Sequence, residues 1–204
     1  MMTVIVLDYE ARHSQYRDMA SDTRQKMVER AAVLLAKKGL QGTSFSEVLE
    51  ASGAPRGSLY HHFPGGKDEL ILEAIKLAGA RAIAALDAMR GQPADQVAKQ
   101  FLSLWRTVLE KSNFGAGCAV AAVTVATEST ELTGQAAGVF RTWRTRLGEL
   151  LAAGGVPADR SNALAAALIS ASEGAVILAR AEQSFEPFDL VAKEEIERIK
   201  AAMR

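Results

Sequence analysis

Apolar residues recur every three or four positions over most of this chain, the spacing that gathers them on one face of a helix. Thr23 stands where a helix N-cap belongs. Met27, Val28, Ala31, Ala32, Leu34 and Leu35 follow at helical spacing until Gly39, behind Lys37-Lys38, stops the run. Leu40 folds back onto the core. Thr43 or Ser44 caps a second helix that carries Val48 and Leu49 inward and ends at Gly53. Pro55 suits the first turn of a third helix, where its missing N–H costs little, and Gly57-Ser58 are small enough to let that helix's backbone approach another surface. The run from Phe63 to Lys67, FPGGK, is a turn anchored by Phe63.

Beyond it the pattern predicts helices from about Asp68 to Met89, Ala94 to Lys111, Leu132 to Ala153, Ala158 to Ser184 and Phe188 to Met203. Cys118 to Ala126, CAVAAVTVA, is β-branched enough for a strand, but no partner strand is visible, so it is read as a buried helix. Glu194 and Arg198 make a favourable i,i+4 pair. The fold class is therefore all-α: an N-terminal three-helix head containing a helix-turn-helix, followed by a larger helical body. The expected divisions are an N-terminal leader over 1–22, the head over 23–67 and the body over 68–204.

Composition narrows the field. The 204 residues suffice for a sizeable core, and 49% hydrophobic with 24% charged residues suits a folded chain. Formal net charge is zero, but between Asp22 and Lys67 seven Lys/Arg stand against four Asp/Glu, a modest positive excess where a phosphate backbone would lie. A single cysteine, Cys118, excludes an internal disulfide. The apolar runs read as shorter than a membrane span, and Thr3 to Leu7 is too short for a signal core, so a cytoplasmic protein with no membrane partner is expected.

The stretch TRQKMVERAAVLLAKKGLQGTSFSEVLEASGAPRGSLYHHFPGGKDEL closely resembles the DNA-binding domain of the tetracycline-repressor (TetR) family of transcriptional regulators. Its landmarks are the Gly39–Gly42 corner, Thr43-Ser44, Ala51-Ser52-Gly53 at the turn, and Gly57 through Phe63. The two-glycine PGGK, with GCAVAAVTVATES and SEGAVILARAE in the body, is similar to the LmrA/YxaF-like branch. The resemblance covers roughly residues 23 to 184. One departure is Ala54-Pro55-Arg56 in place of the more usual Val-Ser-Lys/Arg, which removes a side-chain cap from the recognition helix.

The resemblance implies a homodimer on double-stranded DNA. Arg56 and Ser58 would reach base edges or nearby phosphates, arginine being best shaped for the guanine edge. Tyr60, His61 and Lys67 would meet phosphates, Thr43 or Ser44 would offer a hydroxyl at a helix N-terminus, and Gly57 would allow close approach. In the body, Phe101–Trp105 and Phe140–Trp143 are either core or the walls of a cavity for a small apolar effector. Glu173 favours the cavity, since a carboxylate amid ALISASEGAVIL needs solvent, a partner or a ligand, and Ile177 belongs to the same stretch. Cys118 is either a small buried thiol or part of that lining. The small-residue face at Ala163, Ala167, Ala171, Gly174 and Ala175 permits close helix packing, which the resemblance assigns to a four-helix dimer interface.

Other chemistry finds little support. His61-His62 point about 100° apart on a helix, unlike the i,i+4 spacing of metal-binding pairs, and PGGK lacks the spacing of a phosphate-binding loop. No metal, cofactor or catalytic group is expected, and the protein is not expected to be an enzyme. The alternative is a helical small-molecule-binding protein or adaptor without DNA-binding activity.

Overall fold

The computed structural model describes residues 22–203, so all but the last residue of the expected leader lies outside the described part. Within it the regular structure is helical, with no strand. Helix α1 runs through residues 22–38, so Thr23 lies inside the helix and is not its cap, as the sequence had implied. Gly39, at φ 71°, ends it in the left-handed region that only glycine enters cheaply. Helix α2 spans Phe45–Ser52 and starts with a capping box: Ser44 accepts from the Glu47 N–H, and the Glu47 carboxylate accepts from the Ser44 N–H. Gly53, at φ 68°, closes it and turns the chain.

Helix α3 is Ser58–His62, shorter than the expected Pro55 start. Pro55, Arg56 and Gly57 form a turn instead, closed by the Ser58 N–H and Oγ, which donate to the Pro55 carbonyl at 3.0 and 2.7 Å. The remaining helices are α4 Lys67–Asp87, α5 Ala94–Lys111, α6 Ala119–Ala126, α7 Thr130–Ala153, α8 Ala158–Glu182 and α9 Glu186–Ala202. Helix α6 confirms helix over strand, but only one side is buried: Ala119, Val120 and Val123 pack inward while Val125 is exposed. In α9, Arg198 turns to Glu195 at 3.5 Å, where the sequence had suggested Glu194.

Two apolar clusters hold the chain. One is confined to the body, around Leu102, Leu109, Leu147, Leu168, Phe188 and Ile199. The other runs from the three N-terminal helices into the body: Met27, Leu35, Val48 and Phe63 are continuous with Ile71 and Ile75 of α4, and these with Val120 and Trp143. Each such fully buried side chain contributes about 1.5–3 kcal/mol. Polar ties follow the same path. Lys67 Nζ donates to the Leu40 carbonyl, Arg24 pairs with Glu73, and Glu29 with Arg81, so α1 and the corner after it are fastened along α4. The head therefore shares a core with the body and does not hang from a linker.

Helix α8 runs 25 residues and is long and apolar enough to cross a membrane, which the sequence reading of short apolar runs had missed. Its Leu164, Leu168, Ala175 and Val176 pack into the body against α7 and α9. It is the central helix of a bundle, with one face left open.

Candidate nucleic-acid interface and ligand cavity

The helix pair α2–α3 presents its polar residues together. Leu59 and Phe63 are buried, which turns the opposite side of the short α3 outward. Tyr60 is 70% exposed and touches the protein mainly through its ring, edge-on to Phe45 at 6.0 Å. Arg56 is exposed and has no ion-pair partner among the described residues, while Phe45, Leu49, Arg56 and Tyr60 border one shallow groove between the two helices. A β-carbon at Gly57 would meet nothing within 4 Å, and its φ of −70° suits any residue, so nothing within the chain demands glycine there. His61 is exposed; His62 is half-buried, and burial, with the neighbouring His61 and Arg24, lowers its pKa below the ordinary histidine value.

Three of the expected contacts are differently placed. Thr43 is 1% exposed and its hydroxyl donates to the Gly39 carbonyl at 2.8 Å, so it braces the corner and cannot present its side chain to a ligand. Ser44 spends its hydroxyl on the cap, and Lys67 its ammonium on Leu40. Around them the basic residues are partly matched: Lys38 pairs with Glu47 at 2.6 Å, which holds the Glu47 carboxyl below its usual range. Among the described residues no three His, Cys, Asp or Glu side chains converge as a metal site would require.

Behind this surface lies a cavity of about 670 Å³. Phe101 and Trp105 of α5, Cys118 before α6 and Trp143 of α7 meet in its wall, as the sequence suggested. Trp143 is fixed by donating its indole N–H to the Gly79 carbonyl at 3.2 Å, and Gly79 lets α7 approach because a β-carbon there would press on Val139 at 3.1 Å. The sequence did not reveal that α1 forms another wall, through Ala32, Val33, Ala36 and Lys37. The available signal was Val33 and Ala36, apolar residues off the main stripe of a helix already supplied with a buried face.

Phe140, Glu173 and Ile177 do not join this cavity. Phe140 and Glu173 border a separate outer groove between α7 and α8 with Arg141 and Arg144, and Ile177 is 65% exposed. Glu173 reaches inward beside Cys118. Burial, and then the Glu173 carboxylate, push the Cys118 thiol well above its ordinary value, so it stays protonated and is a poor nucleophile. Burial likewise raises the Glu173 pKa above its ordinary 4.5, only partly offset by hydrogen bonding to Cys118, and its Oε1 is buried without a hydrogen-bond partner. A carboxyl with a raised folded pKa favours the fold when protonated. Its cost therefore appears as pH rises above 4.5 and is complete once the raised value is passed. Glu173→Gln is expected to raise the thermal midpoint above pH 4.5 and to leave it unchanged below the ordinary carboxylate range, measured by thermal melts across pH.

A tight helix pair with an exposed polar second helix, fused through a common core to a helical body with a cavity, defines a helix-turn-helix transcriptional regulator. Residues 28–74 match the bacterial regulatory proteins of the tetR family, and residues 93–194 match the C-terminal domain of LmrA/YxaF-like transcriptional regulators. The chain belongs to the TetR family, in its LmrA/YxaF-like branch. It is 36% identical over 178 residues to the HTH-type transcriptional regulator Rv0196 of Mycobacterium tuberculosis, covering 84% of this chain and 91% of that one. It is 28% identical to YxaF of Bacillus subtilis, covering 85% and 93%. The crystal structure of a TetR transcriptional regulator from Chloroflexus aurantiacus superposes with a TM-score of 0.74 at 26% identity, covering 90% of this chain and 96% of that one. The protein is a DNA-binding transcriptional regulator and not an enzyme.

Proposed function

We propose that the protein is a cytoplasmic homodimeric repressor, released from a palindromic operator when a small, largely apolar effector fills the cavity between α1, α4, α5 and α7. On each head, Arg56 and Ser58 read or flank base edges from the turn and first residue of α3. Tyr60 and His61 contact phosphates, and Gly57 lets the backbone come close. Ser44 and Lys67 add main-chain and electrostatic support from the flanks, while Thr43 shapes the corner.

The observation that carries the reading is the α1 wall of the cavity. Because Ala32, Val33 and Ala36 belong to the head and Trp105 and Trp143 to the body, an occupant presses directly on the element that orients α3. The Ala36 carbonyl also accepts from the Gly117 N–H at 2.8 Å, which joins the end of α1 to the segment leading into α6. An effector need only bind the two head positions unequally, and a coupling of about 1–3 kcal/mol is typical.

Dimerisation by this chain is supported by the open faces of α7 and α8. Leu178 is 47% exposed beside Ile177, and β-carbons at Gly134, Gly138 and Gly174 would meet nothing within 4 Å. Such a face suits close helix packing with a second copy, which sets two heads on half-sites one DNA turn apart. The test is electrophoretic retardation of DNA from upstream of the protein's own gene. Salt-sensitive retardation of a palindromic segment is expected. No retardation at any salt would leave a ligand-binding protein or adaptor in its place.

A further inference from the structure

We infer that the effector is an amphipathic anion, an apolar body ending in a carboxylate, sulfonate or similar group held between Lys37 of the head and Lys111 of the body. The inference rests on the cavity being the effector site and names what that site selects. The charged residues lining the cavity are Lys37, Arg81 and Lys111, with no Asp or Glu among the lining. Arg81 is already paired with Glu29 at 2.9 Å, and Lys38, next along the chain, with Glu47. Lys37 and Lys111 have no ion-pair partner among the described residues, and both are exposed at the rim.

The neutral polar groups of the lining are mostly spent. Thr107 Oγ1 donates to the Ser103 carbonyl, Ser112 Oγ to the Leu109 carbonyl, and the Trp143 indole to Gly79. What remains uncommitted is donors: two ammonium groups and the indole N–H of Trp105, which no described residue accepts. The lining between them is Val33, Ala82, Phe101, Leu104 and Val108, a surface for rings or a short chain. A neutral polar ligand finds few partners there, and a cation meets the two unpaired ammonium groups.

Lys37 and Lys111 both stand at helix C-termini, where free carbonyls would oppose an anion. Several of those carbonyls are occupied: Leu35 O accepts from Gly39 N–H and Ala36 O from Gly117 N–H at the end of α1, and Val108 O, Leu109 O and Glu110 O accept from Ser112, Phe114 and Asn113 N–H at the end of α5. The rim is thus a site for negative charge contributed by both parts of the molecule. An anion seated there ties the end of α1 to the end of α5, and so fixes the head relative to the body.

The test uses a matched pair of fluorescent probes, anilinonaphthalene sulfonate and its uncharged parent phenylnaphthylamine, titrated into the full chain. At low salt the sulfonate is expected to bind about tenfold more tightly, the scale of two exposed ion pairs, with the advantage shrinking as ionic strength rises. Lys37→Met with Lys111→Met keeps the apolar stems and should bring the sulfonate to the parent's affinity while leaving the parent's unchanged. Ala82→Phe fills the cavity and should exclude both probes; Ala85→Phe does the same should the first variant fold poorly. Equal affinity of the two probes for the wild-type chain, with both excluded by the filling variants, overturns the anion preference and leaves the cavity reading standing. Binding that survives both filling variants, or no binding of either probe, overturns both.

Discussion

Replacing Arg56 and Tyr60 together by alanine is expected to abolish operator retardation while leaving the oligomeric state unchanged. Both side chains are exposed, and neither carries a hydrogen bond or ion pair among the described residues. The fold loses only the edge-on Tyr60–Phe45 contact, about 0.5–1.5 kcal/mol, so the thermal midpoint should fall by a few degrees at most. DNA binding loses far more. A bidentate arginine–guanine contact is worth about 1–3 kcal/mol, a phosphate contact adds to it, and a symmetric dimer loses both twice. The combined loss of affinity is at least about a thousandfold. The single variants separate the roles: Arg56→Ala should relax discrimination at one position of each half-site, whereas Tyr60→Phe should weaken all sequences alike. Retardation with wild-type affinity would show that α3 is not the reading element. Loss of the dimer would show that this surface is structural.

The same two residues show what a sequence discloses. Helix positions followed from periodicity, and they followed best where the punctuation was strong: α5 begins after Pro93 and ends at the break beginning with Ser112, as expected. Phe63 was legible as an apolar anchor, and its burial together with Leu59 turns Tyr60 outward. The start of α3 was misjudged because proline is equally at home in a helix's first turn and in a β-turn. The Ser58 hydroxyl, taken by the Pro55 carbonyl, settles the choice. Thr43 illustrates a second limit. A hydroxyl beside a helix N-terminus can face solvent or turn inward, and the decision lies with a carbonyl that Gly39 aims at it.

The cavity was half legible for a related reason. Aromatic residues on long helices mark apolar faces, but periodicity does not say which neighbouring helix covers each face. Phe101, Trp105, Cys118 and Trp143 were brought together, whereas Phe140 and Glu173 border the outer α7–α8 groove and Ile177 is exposed. The contribution of α1 depends on juxtaposing segments far apart in the chain, and only the fold supplies that. Lys37 and Lys111 are ordinary solvated lysines until their helix ends are seen to share one rim.

Ile177→Asp should convert the protein to a folded monomer that no longer holds its operator. Ile177 projects from the open α8 face, and a neighbouring position, Gly174, leaves room for another backbone to approach. A side chain 65% exposed contributes little to the monomer's own core, so the chain's helicity and single-copy fold should survive an aspartate there. Across a two-fold axis the change acts twice. Two carboxylates would be buried near each other in an apolar seam, each several kcal/mol out of balance, which exceeds what a helix-pair interface of this kind can offset. A lone head then engages one half-site without the effective concentration that its twin supplies, and affinity falls about a hundredfold to ten-thousandfold. Light scattering should give the mass of one chain, and retardation should vanish at protein concentrations that saturate the wild type. A variant that stays dimeric and binds DNA normally would place the interface on another face. A variant that melts would make Ile177 part of the core. Either result would remove the link between the small-residue side of α8 and the pairing of heads, because the exposed Ile177 lies outside the α2–α3 surface and matters to operator binding only through a contact between copies.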